Sequence, residues 1–270
     1  MFGVADPGQG PLMRLATWNV NSVRARLPRL LEWIDATRPD ICCLQETKSS
    51  EQAFPTSAFE ERGYAVAHVG TGRWNGVAIL SKLGLAGVAR GLAGDPRPAE
   101  PEARAVSATC GGLRVHCVYV PNGRALDSPE YPYKLAWLAA LRDAVASDVA
   151  GGLPVAVCGD VNVIPTDDDV WDASRFVGST HTSAPERAAL AALSDLGLRD
   201  AVREHQPTPG PFTFWDYRAG DFHNRRGMRI DLVLLTDQLA ASVQTAYVDR
   251  EARKGKGASD HAPVVVDLAD

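Results

Sequence analysis

The chain has 270 residues, of which 45% are hydrophobic and 23% are charged, so it can bury a sizeable core. Its formal net charge of −5 argues against a protein that coats nucleic acid without selectivity, but it leaves room for basic residues that are clustered locally. No apolar run approaches the ~20 residues of a membrane span, so we expect no association with a membrane.

Five cysteines bear on the cellular compartment. Their number is odd, no secretory signal precedes them, and none forms a Cys-x-x-Cys pair. This usage predicts reduced, buried thiols in a cytoplasmic protein, although Cys110 falls in a predicted hairpin turn. The first residues are rich in Gly and Pro and lack an apolar core. We therefore expect a disordered leader at 1–12 and a single domain at 13–270.

Apolar runs alternate with turn signals along the rest of the chain. Helical periodicity is clearest in 24–37, which ends before Pro39, and in 132–149. Gly111 and Gly112 separate two strand-like runs and predict a hairpin turn. The predicted strands are 12–20, 40–45, 64–69, 76–81, 103–109, 113–120, 155–158, 229–235, 242–248 and 263–268, and the shorter predicted helices are 59–62 and 185–196.

Strands outnumber helices in this pattern, and many neighbouring strands look hairpin-joined. The helices are too few for a continuous β-α repeat. We therefore predict an α/β protein in which two mixed, mainly antiparallel β-sheets pack face to face and helices lie outside them. Neither an internal repeat nor a linker divides the chain.

Five stretches place polar side chains at the ends of these strands. The last is Ser259-Asp260-His261-Ala262-Pro263, a tight loop that holds a carboxylate and an imidazole at a sheet edge. Each stretch alone also has an ordinary structural explanation, such as a turn or a loop cap. The other four are Thr17-Trp18-Asn19-Val20-Asn21, Leu44-Gln45-Glu46-Thr47-Lys48, Gly159-Asp160-Val161-Asn162 and Arg229-Ile230-Asp231-Leu232.

Two of these stretches contain paired polar groups. Asp160 and Asn162 are two residues apart, so on an extended segment they face the same side, where one can act on a water and the other can hold a phosphate oxygen. Asp231 lies inside an apolar strand, where an unpaired charge is costly, so it requires a partner. His261 and an arginine such as Arg229 are the two candidates.

Other strand-end groups are suited to a metal or a phosphate. The carboxylate of Glu46 can hold a hard cation or can simply begin a surface loop. The amide of Asn19 can orient a catalytic carboxylate without adding charge, and Asp260 can bind metal or only cap its loop. Lys48, two residues after Glu46, lies close enough to contact a phosphate bound beside the metal. The phenol of Tyr119 can donate to a phosphate, or it can be an amphipathic strand end.

In this order the five stretches resemble the endonuclease/exonuclease/phosphatase superfamily, and within it the exonuclease III type of apurinic/apyrimidinic (AP) endonuclease. The resemblance extends from Arg14 to Leu268. Tyr119 favours the AP endonuclease branch, because other branches usually carry His in this stretch. The resemblance implies a four-layer sandwich of two sheets flanked by helices, and an enzyme that uses Mg²⁺ or alternatively Mn²⁺.

The resemblance also implies roles for the polar residues. Phe214, Met228 and Ile230 fall where the family builds an apolar pocket for a flipped sugar that lacks its base. Arg225 and Arg226 are candidate DNA contacts from their charge and loop position alone, with a solvated surface as the alternative. The implied metal group is Glu46, Asn19 and Asp260, the catalytic group is Tyr119, Asp160, Asn162, Asp231 and His261, and the phosphate contacts are Lys48 and Asn122.

The predicted function is Mg²⁺-dependent cleavage of the phosphodiester 5′ to abasic sites in duplex DNA by a monomer, with 3′–5′ exonuclease and 3′-phosphodiesterase activity. One alternative is a phosphatase or phosphodiesterase that acts on a small molecule or a lipid headgroup. A second alternative is a nucleic-acid-binding module without catalysis, which the completeness of the motif set disfavours.

Overall fold

The computed structural model describes residues 12–269. The predicted leader at 1–12 lies outside this range except for its last residue, which begins the first strand. The strands are β1 (Leu12–Asn19), β2 (Ile41–Gln45), β3 (Ala65–Val69), β4 (Val77–Ser81), β5 (Ala86–Arg90), β6 (Ala105–Cys110), β7 (Leu113–Tyr119), β8 (Val155–Asp160), β9 (Leu198–Asp200), β10 (Asp231–Thr236), β11 (Val243–Val248) and β12 (Val264–Ala269). The helices are α1 (Val23–Thr37), α2 (Thr56–Glu60), α3 (Glu130–Ala150), α4 (Ala184–Ser194), α5 (Ala201–His205) and α6 (Asp237–Ser242).

The strands form two six-stranded sheets, in the orders β11-β12-β1-β2-β4-β3 and β5-β6-β7-β8-β10-β9. In each sheet the two central strands are parallel, and every other neighbouring pair is antiparallel. Parallel neighbours need a long crossover connection, which α1 supplies between β1 and β2 and α3 supplies between β7 and β8. The predicted pair of mixed, mainly antiparallel sheets is confirmed.

The main core lies between the two sheets, because successive side chains of a strand point to opposite faces. In β2, Ile41 and Cys43 belong to this central core, whereas Cys42 and Leu44 pack in the layer of α1. Helix α3 covers the outer face of the second sheet through residues such as Trp137. The central strands are therefore buried on both faces, which explains their continuous apolar sequences. The four layers are helix, sheet, sheet and helix.

The prediction missed four short elements, β5, β9, α5 and α6. Strand β5 is a largely exposed edge strand and β9 has only three residues, so neither shows a clear apolar pattern. The predicted strand 229–235 begins only at Asp231, because the hydroxyl of Thr213 accepts the N–H groups of Ile230 and Asp231 (3.1 Å each). Cys110 is the last residue of β6, not part of a turn.

All five cysteines are free and buried, as predicted. Within residues 12–269, no helix combines the length and the apolar character that crossing a bilayer would need.

Candidate active site

Polar side chains from both sheets meet where the central parallel strands end. In the first sheet Asn19 ends β1 and pairs with Gln45, the last residue of β2. In the second sheet Tyr119 ends β7 and pairs with Asp160, the last residue of β8, and Asp160 pairs in turn with Asp231. The register thus brings the predicted catalytic residues of three neighbouring strands side by side.

The buried amide of Asn19 joins the two sheets. Its Nδ2 donates to Glu46 Oε1 (2.9 Å) and to Asp160 Oδ2 (3.0 Å), and its Oδ1 accepts the N–H of Asn21 (3.0 Å). One side chain therefore fixes two carboxylates that different sheets contribute. Because the amide oxygen is already engaged, this geometry favours an orienting role for Asn19 over direct binding of a metal.

Glu46 lies in a tight loop after β2, with a φ of 50°. Lys48 Nζ lies 2.7 Å from Glu46 Oε2 and donates to Asn21 Oδ1 (2.6 Å). Burial alone would raise the pKa of Glu46, but the hydrogen bonds from Lys48 and Asn19 outweigh it and lower that pKa. Glu46 is therefore an anion at neutral pH.

The turn between β3 and β4 is hydrogen-bonded to the loop that carries Glu46. The N–H of Thr47 donates to Gly76 O (3.0 Å), and the N–H of Lys48 donates to Asn75 O (2.9 Å). A β-carbon on Gly76 would lie 2.1 Å from Thr47 Oγ1, so only glycine permits this close approach. The β3–β4 turn thereby fixes the position of Glu46.

The backbone around Asp160 is folded tightly. Gly159 has a φ of 148°, and a β-carbon there would lie 2.0 Å from Val118 O. Asp160 Oδ1 accepts the N–H of Asn162 (3.0 Å), whose own φ is 50°. The prediction of an extended segment on which Asp160 and Asn162 face the same side was therefore wrong, because the chain turns sharply after β8.

Asp160 is buried among other ionisable groups. Burial and the neighbouring Asp231 raise the pKa of Asp160 to about 7, against the opposing effects of His261 and Asn19. A carboxyl group with a pKa near neutrality can take up and release a proton under physiological conditions.

Asp231 pairs with His261, which decides between the two candidate partners. His261 Nδ1 donates to Asp231 Oδ2 (2.8 Å), and both side chains are buried. Arg229 instead contacts Asp169 Oδ1 (2.6 Å) and Asp200 Oδ2 (2.7 Å). Burial would lower the pKa of His261, but the charge and hydrogen bond of Asp231 outweigh it and raise that pKa to about 10. His261 is thus an imidazolium at neutral pH.

Three side chains offer ligand atoms to one cation. Atoms of Glu46, Asp160 and His261 all lie within 4.8 Å of one another. Because His261 is protonated, the carboxylate oxygens are the available ligands, and they suit a hard divalent cation. Asp260 is not among the three, and its Oδ1 accepts hydrogen bonds from Asn21 Nδ2 (3.0 Å) and Ser259 Oγ (3.3 Å). The donor set fits Mg²⁺ or Mn²⁺ at Glu46 and Asp160.

Tyr119 and Asn122 add hydrogen-bond donors at this end of the sandwich. Burial, together with the nearby Glu46 and Asp160, raises the pKa of Tyr119 well above its ordinary value, so its phenol stays protonated. Asn122 is exposed, and its Nδ2 donates to Asn162 Oδ1 (3.3 Å).

The sequence prediction missed a buried polar cluster around Lys134, which holds the backbone of Asn122 and Asn162. Lys134 Nζ contacts Glu186 Oε1 (2.5 Å) and donates to the backbone oxygens of Asn162 (2.6 Å) and Asn122 (3.2 Å). His181 Nδ1 also hydrogen-bonds Asn162 O (2.5 Å). The sequence carried a signal, because residue 134 shares the apolar face of α3 with residues 138, 141 and 145.

The predicted apolar pocket residues pack together beside His261. Phe214, Met228 and Ile230 form one cluster, and the ring centroid of Phe214 lies 4.9 Å from that of His261. Arg225 and Arg226 are exposed in the loop 216–227. The guanidinium of Arg226 lies 5.5 Å from the centroid of Trp171, a neighbour of the cluster. Within residues 12–269, no ion pair joins either arginine to Glu46, Asp160 or Asp231, and Arg226 lies 4.0 Å from Asp221 instead.

Known proteins are similar to this chain over most of its length. The family model described as Endonuclease/Exonuclease/phosphatase family matches residues 16–261. Exodeoxyribonuclease III of Haemophilus influenzae is 32% identical over 264 residues, which cover 93% of this chain and 98% of that protein.

Two solved structures are similar along nearly the whole chain. A 3′ phosphatase from Neisseria, bound to product DNA hairpin, superposes with a TM-score of 0.92 at 37% identity, covering 96% of this chain and 100% of that one. An AP endonuclease from Archaeoglobus fulgidus superposes with a TM-score of 0.90 at 35% identity, covering 96% and 99%. Since the family model spans most of its length, this chain belongs to the endonuclease/exonuclease/phosphatase family.

Proposed function

We propose that this chain is a divalent-metal-dependent DNA repair nuclease of the exonuclease III and AP endonuclease type. The observation that carries this proposal is that the carboxyl groups of Glu46 and Asp160 and the imidazolium of His261 meet where the central strands of both sheets end. This combination can hold a cation on one side of a phosphate and neutralise the phosphate's charge on the other. The similarity to an exodeoxyribonuclease III, an AP endonuclease and a DNA-bound phosphatase supports DNA as the substrate.

The finer proposal is cleavage 5′ to an abasic site in duplex DNA, together with removal of nucleotides or blocking groups from 3′ ends. The apolar cluster of Phe214, Met228 and Ile230 lies beside His261 and offers few hydrogen bonds to a base edge. Such a surface suits a sugar without its base better than an intact nucleotide.

Metal dependence is general in this family, and Mg²⁺ is the ion that we propose for this chain. Glu46 and Asp160 would hold it, with Asn19 keeping both carboxylates in position through its two N–H donors. A bound Mg²⁺ or Mn²⁺ would polarise the phosphate and offset charge on the leaving 3′ oxygen.

The other roles in the proposed reaction belong to side chains of the protein. A water attacks phosphorus in line with the leaving oxygen and the P–O3′ bond breaks. Asp160 takes the proton of the water, and this proton passes through solvent to the O3′ oxygen, which leaves as a hydroxyl group. The imidazolium of His261, held by Asp231, contacts the growing negative charge. Tyr119, as a neutral phenol, and Asn122 donate further hydrogen bonds to the phosphate oxygens.

The test is an assay of the purified protein on three duplexes, with and without Mg²⁺. One carries a single internal abasic analogue, one has a recessed 3′ hydroxyl end, and one ends in a 3′ phosphate. We expect Mg²⁺-dependent cleavage of these substrates and no hydrolysis of a soluble phosphate monoester or a lipid headgroup. Hydrolysis of only the small substrates would support the phosphodiesterase alternative, and DNA binding without any cleavage would support a binding module.

Glu46→Gln sharpens the test of the metal site. The variant removes a charged ligand, so the Mg²⁺ concentration for half-maximal cleavage should rise about 10-fold or more. The free energy of unfolding should change by about 1 kcal/mol or less, because Glu46 is partly exposed. Glu61→Gln, which removes an exposed carboxylate at the end of α2, is the matched control. An unchanged Mg²⁺ requirement in Glu46→Gln would refute the assignment.

A further inference from the structure

A cavity of about 690 Å³ lies between the loop 216–225 and the segment 250–255, apart from the carboxylate cluster. Phe222 and four basic side chains line it, those of Arg225, Arg250, Arg253 and Lys254. The proposed reaction uses none of these basic groups.

Two guanidinium groups lie close to the same aromatic ring in this cavity. Arg250 lies 4.1 Å and Arg253 lies 4.9 Å from the ring centroid of Phe222. Arg253 also lies 5.0 Å from the centroid of Tyr217, and Arg250 lies 5.7 Å from that of Trp215. The aromatic rings hold both cations in fixed positions, which reduces the entropy lost when they bind an anion.

These cations have no counter-ion. Among the residues that the structure describes, no carboxylate lies within 4.0 Å of Arg250 or Arg253, although Arg253 is only 8% exposed and its Nε has no hydrogen-bond partner. Arg250 donates to Phe222 O (2.9 Å), and Arg253 donates to Trp215 O (3.4 Å). A guanidinium has five N–H donors, so most of their donors remain available.

The acidic groups at the cavity wall are already paired with other residues. Asp216 contacts Arg218 (2.6 Å), and Asp221 lies 4.0 Å from Arg226. Lys254 pairs with Glu251 (2.6 Å), so the surplus positive charge of the cavity resides on Arg225, Arg250 and Arg253. Burial lowers the pKa of Arg253 most, and the neighbouring Arg250 lowers it further. An anion between the two would relieve their mutual repulsion and satisfy their donors.

We propose that this cavity binds a backbone phosphate of the DNA substrate, away from the phosphate that is cleaved. The planar fork of a guanidinium matches the oxygens of a phosphate diester. The cavity is also tied to the reaction centre, because the N–H of Trp215 donates to Asp260 O (3.0 Å), next to His261. This inference rests on the proposed function, since it presumes that the chain binds DNA.

The experiment measures duplex DNA binding across salt concentrations, in the absence of divalent metal so that nothing is cleaved. Arg250→Gln and Arg253→Met are the test variants. Arg199→Gln is the control, because it removes an equal charge from an exposed arginine that already pairs with Glu204. For each test variant we expect the slope of log K against log salt to become shallower by about one, since one phosphate contact is lost, and the control should keep the wild-type slope.

The outcomes separate the possible sources of the phosphate. Slopes equal to wild type in both test variants would overturn the proposal, and Arg250→Gln, which removes only a partly exposed side chain, carries the test if Arg253→Met does not fold. Inorganic phosphate and deoxyadenosine monophosphate are titrated in parallel. If the variants lose only these ligands and keep the wild-type DNA slope, the cavity holds a free anion and the assignment to the backbone is wrong. A wild-type protein that does not bind duplex DNA would instead refute the proposed function.

Discussion

The side chain of Asp231 hydrogen-bonds only His261 within residues 12–269. This contact keeps the imidazole charged in a buried place, where an isolated imidazole would be neutral. In the proposed reaction the pair therefore supplies a fixed positive charge, and Asp231 acts through His261.

Asp231→Asn should remove that charge. The pKa of His261 should fall from about 10, and cleavage should slow by about 10- to 100-fold at neutral pH. Adding His261→Ala should do less damage than the product of the two single effects, because the residues act as a unit. Cleavage rates for the four forms and the NMR titration of His261 measure both effects.

A variant of another carboxylate serves as the control for this comparison of single and double variants. Asp200→Asn disturbs the contact with Arg229 but leaves His261 untouched, so the titration of His261 should not move. Fully multiplicative losses in the double variant would mean that Asp231 and His261 act independently.

Gly159 is a second residue on which the geometry of the site depends. Gly159→Ala should destabilise the fold by about 2 kcal/mol or more, because the new β-carbon meets a backbone oxygen of the neighbouring strand and the φ is unfavourable. Gly178→Ala also has a positive φ, but its β-carbon meets nothing within 4 Å, so about 1 kcal/mol is expected. Urea unfolding of both variants compares them, and equal losses would contradict the importance of the close approach.

At the scale of elements, Lys134 of α3 and Glu186 of α4 form a fully buried ion pair. Lys134→Met should cost about 3–5 kcal/mol, because it leaves the buried Glu186 uncompensated and removes one hydrogen bond from each of two backbone oxygens. Combining it with Glu186→Gln should recover part of the loss, since the remaining amide is neutral. Thermal and urea unfolding measure the recovery. A single-variant cost below about 1 kcal/mol would show that water replaces the lysine.

The central strands and main helices were predictable from the sequence because burial on both faces leaves long apolar runs, as in β2 and β8. The strand-end residues Asn19, Glu46, Asp160 and Asp231 were also identifiable, since polar groups directly follow or interrupt those runs. The sharp turn at Asn162 was not predictable, because it depends on the contact between Gly159 and another strand. Partners distant in sequence, such as Glu186 for Lys134, likewise appear only when helices pack.

For the whole molecule, buried histidines link stability to pH. Burial lowers the pKa values of His68 and His181 to about 4, whereas an unfolded histidine titrates near 6.5. Between these values the unfolded chain binds protons at these two positions that the folded chain does not, so the stability that the two histidines contribute should fall as pH falls from about 6.5 to 4. Asp160, whose pKa is raised to about 7, opposes this change by about one proton, so the net loss should be smaller than the two histidines alone would give. His261 is protonated in both states there, and its contribution is lost only as pH rises towards 10.

Urea unfolding between pH 8 and 4.5 tests this expectation. Each of the two histidines can contribute up to about 3 kcal/mol over the window. His68→Gln should flatten the dependence by about one proton, because the replacement does not titrate and can still hydrogen-bond Thr47. An equally steep dependence in the variant would show that other groups account for the loss.

The pairing of β1 with β12 has a consequence for how the protein is made. Residues 12–17 align with residues 264–269, so β1 can complete its pairing only after the whole stretch between them has been synthesised. His261 comes just before β12, so the proposed cutting centre is completed only after the ribosome has passed residue 261. A nascent chain, or one that a protease has shortened at its carboxyl end, therefore carries most of the polar groups of a nuclease without the ability to damage a chromosome.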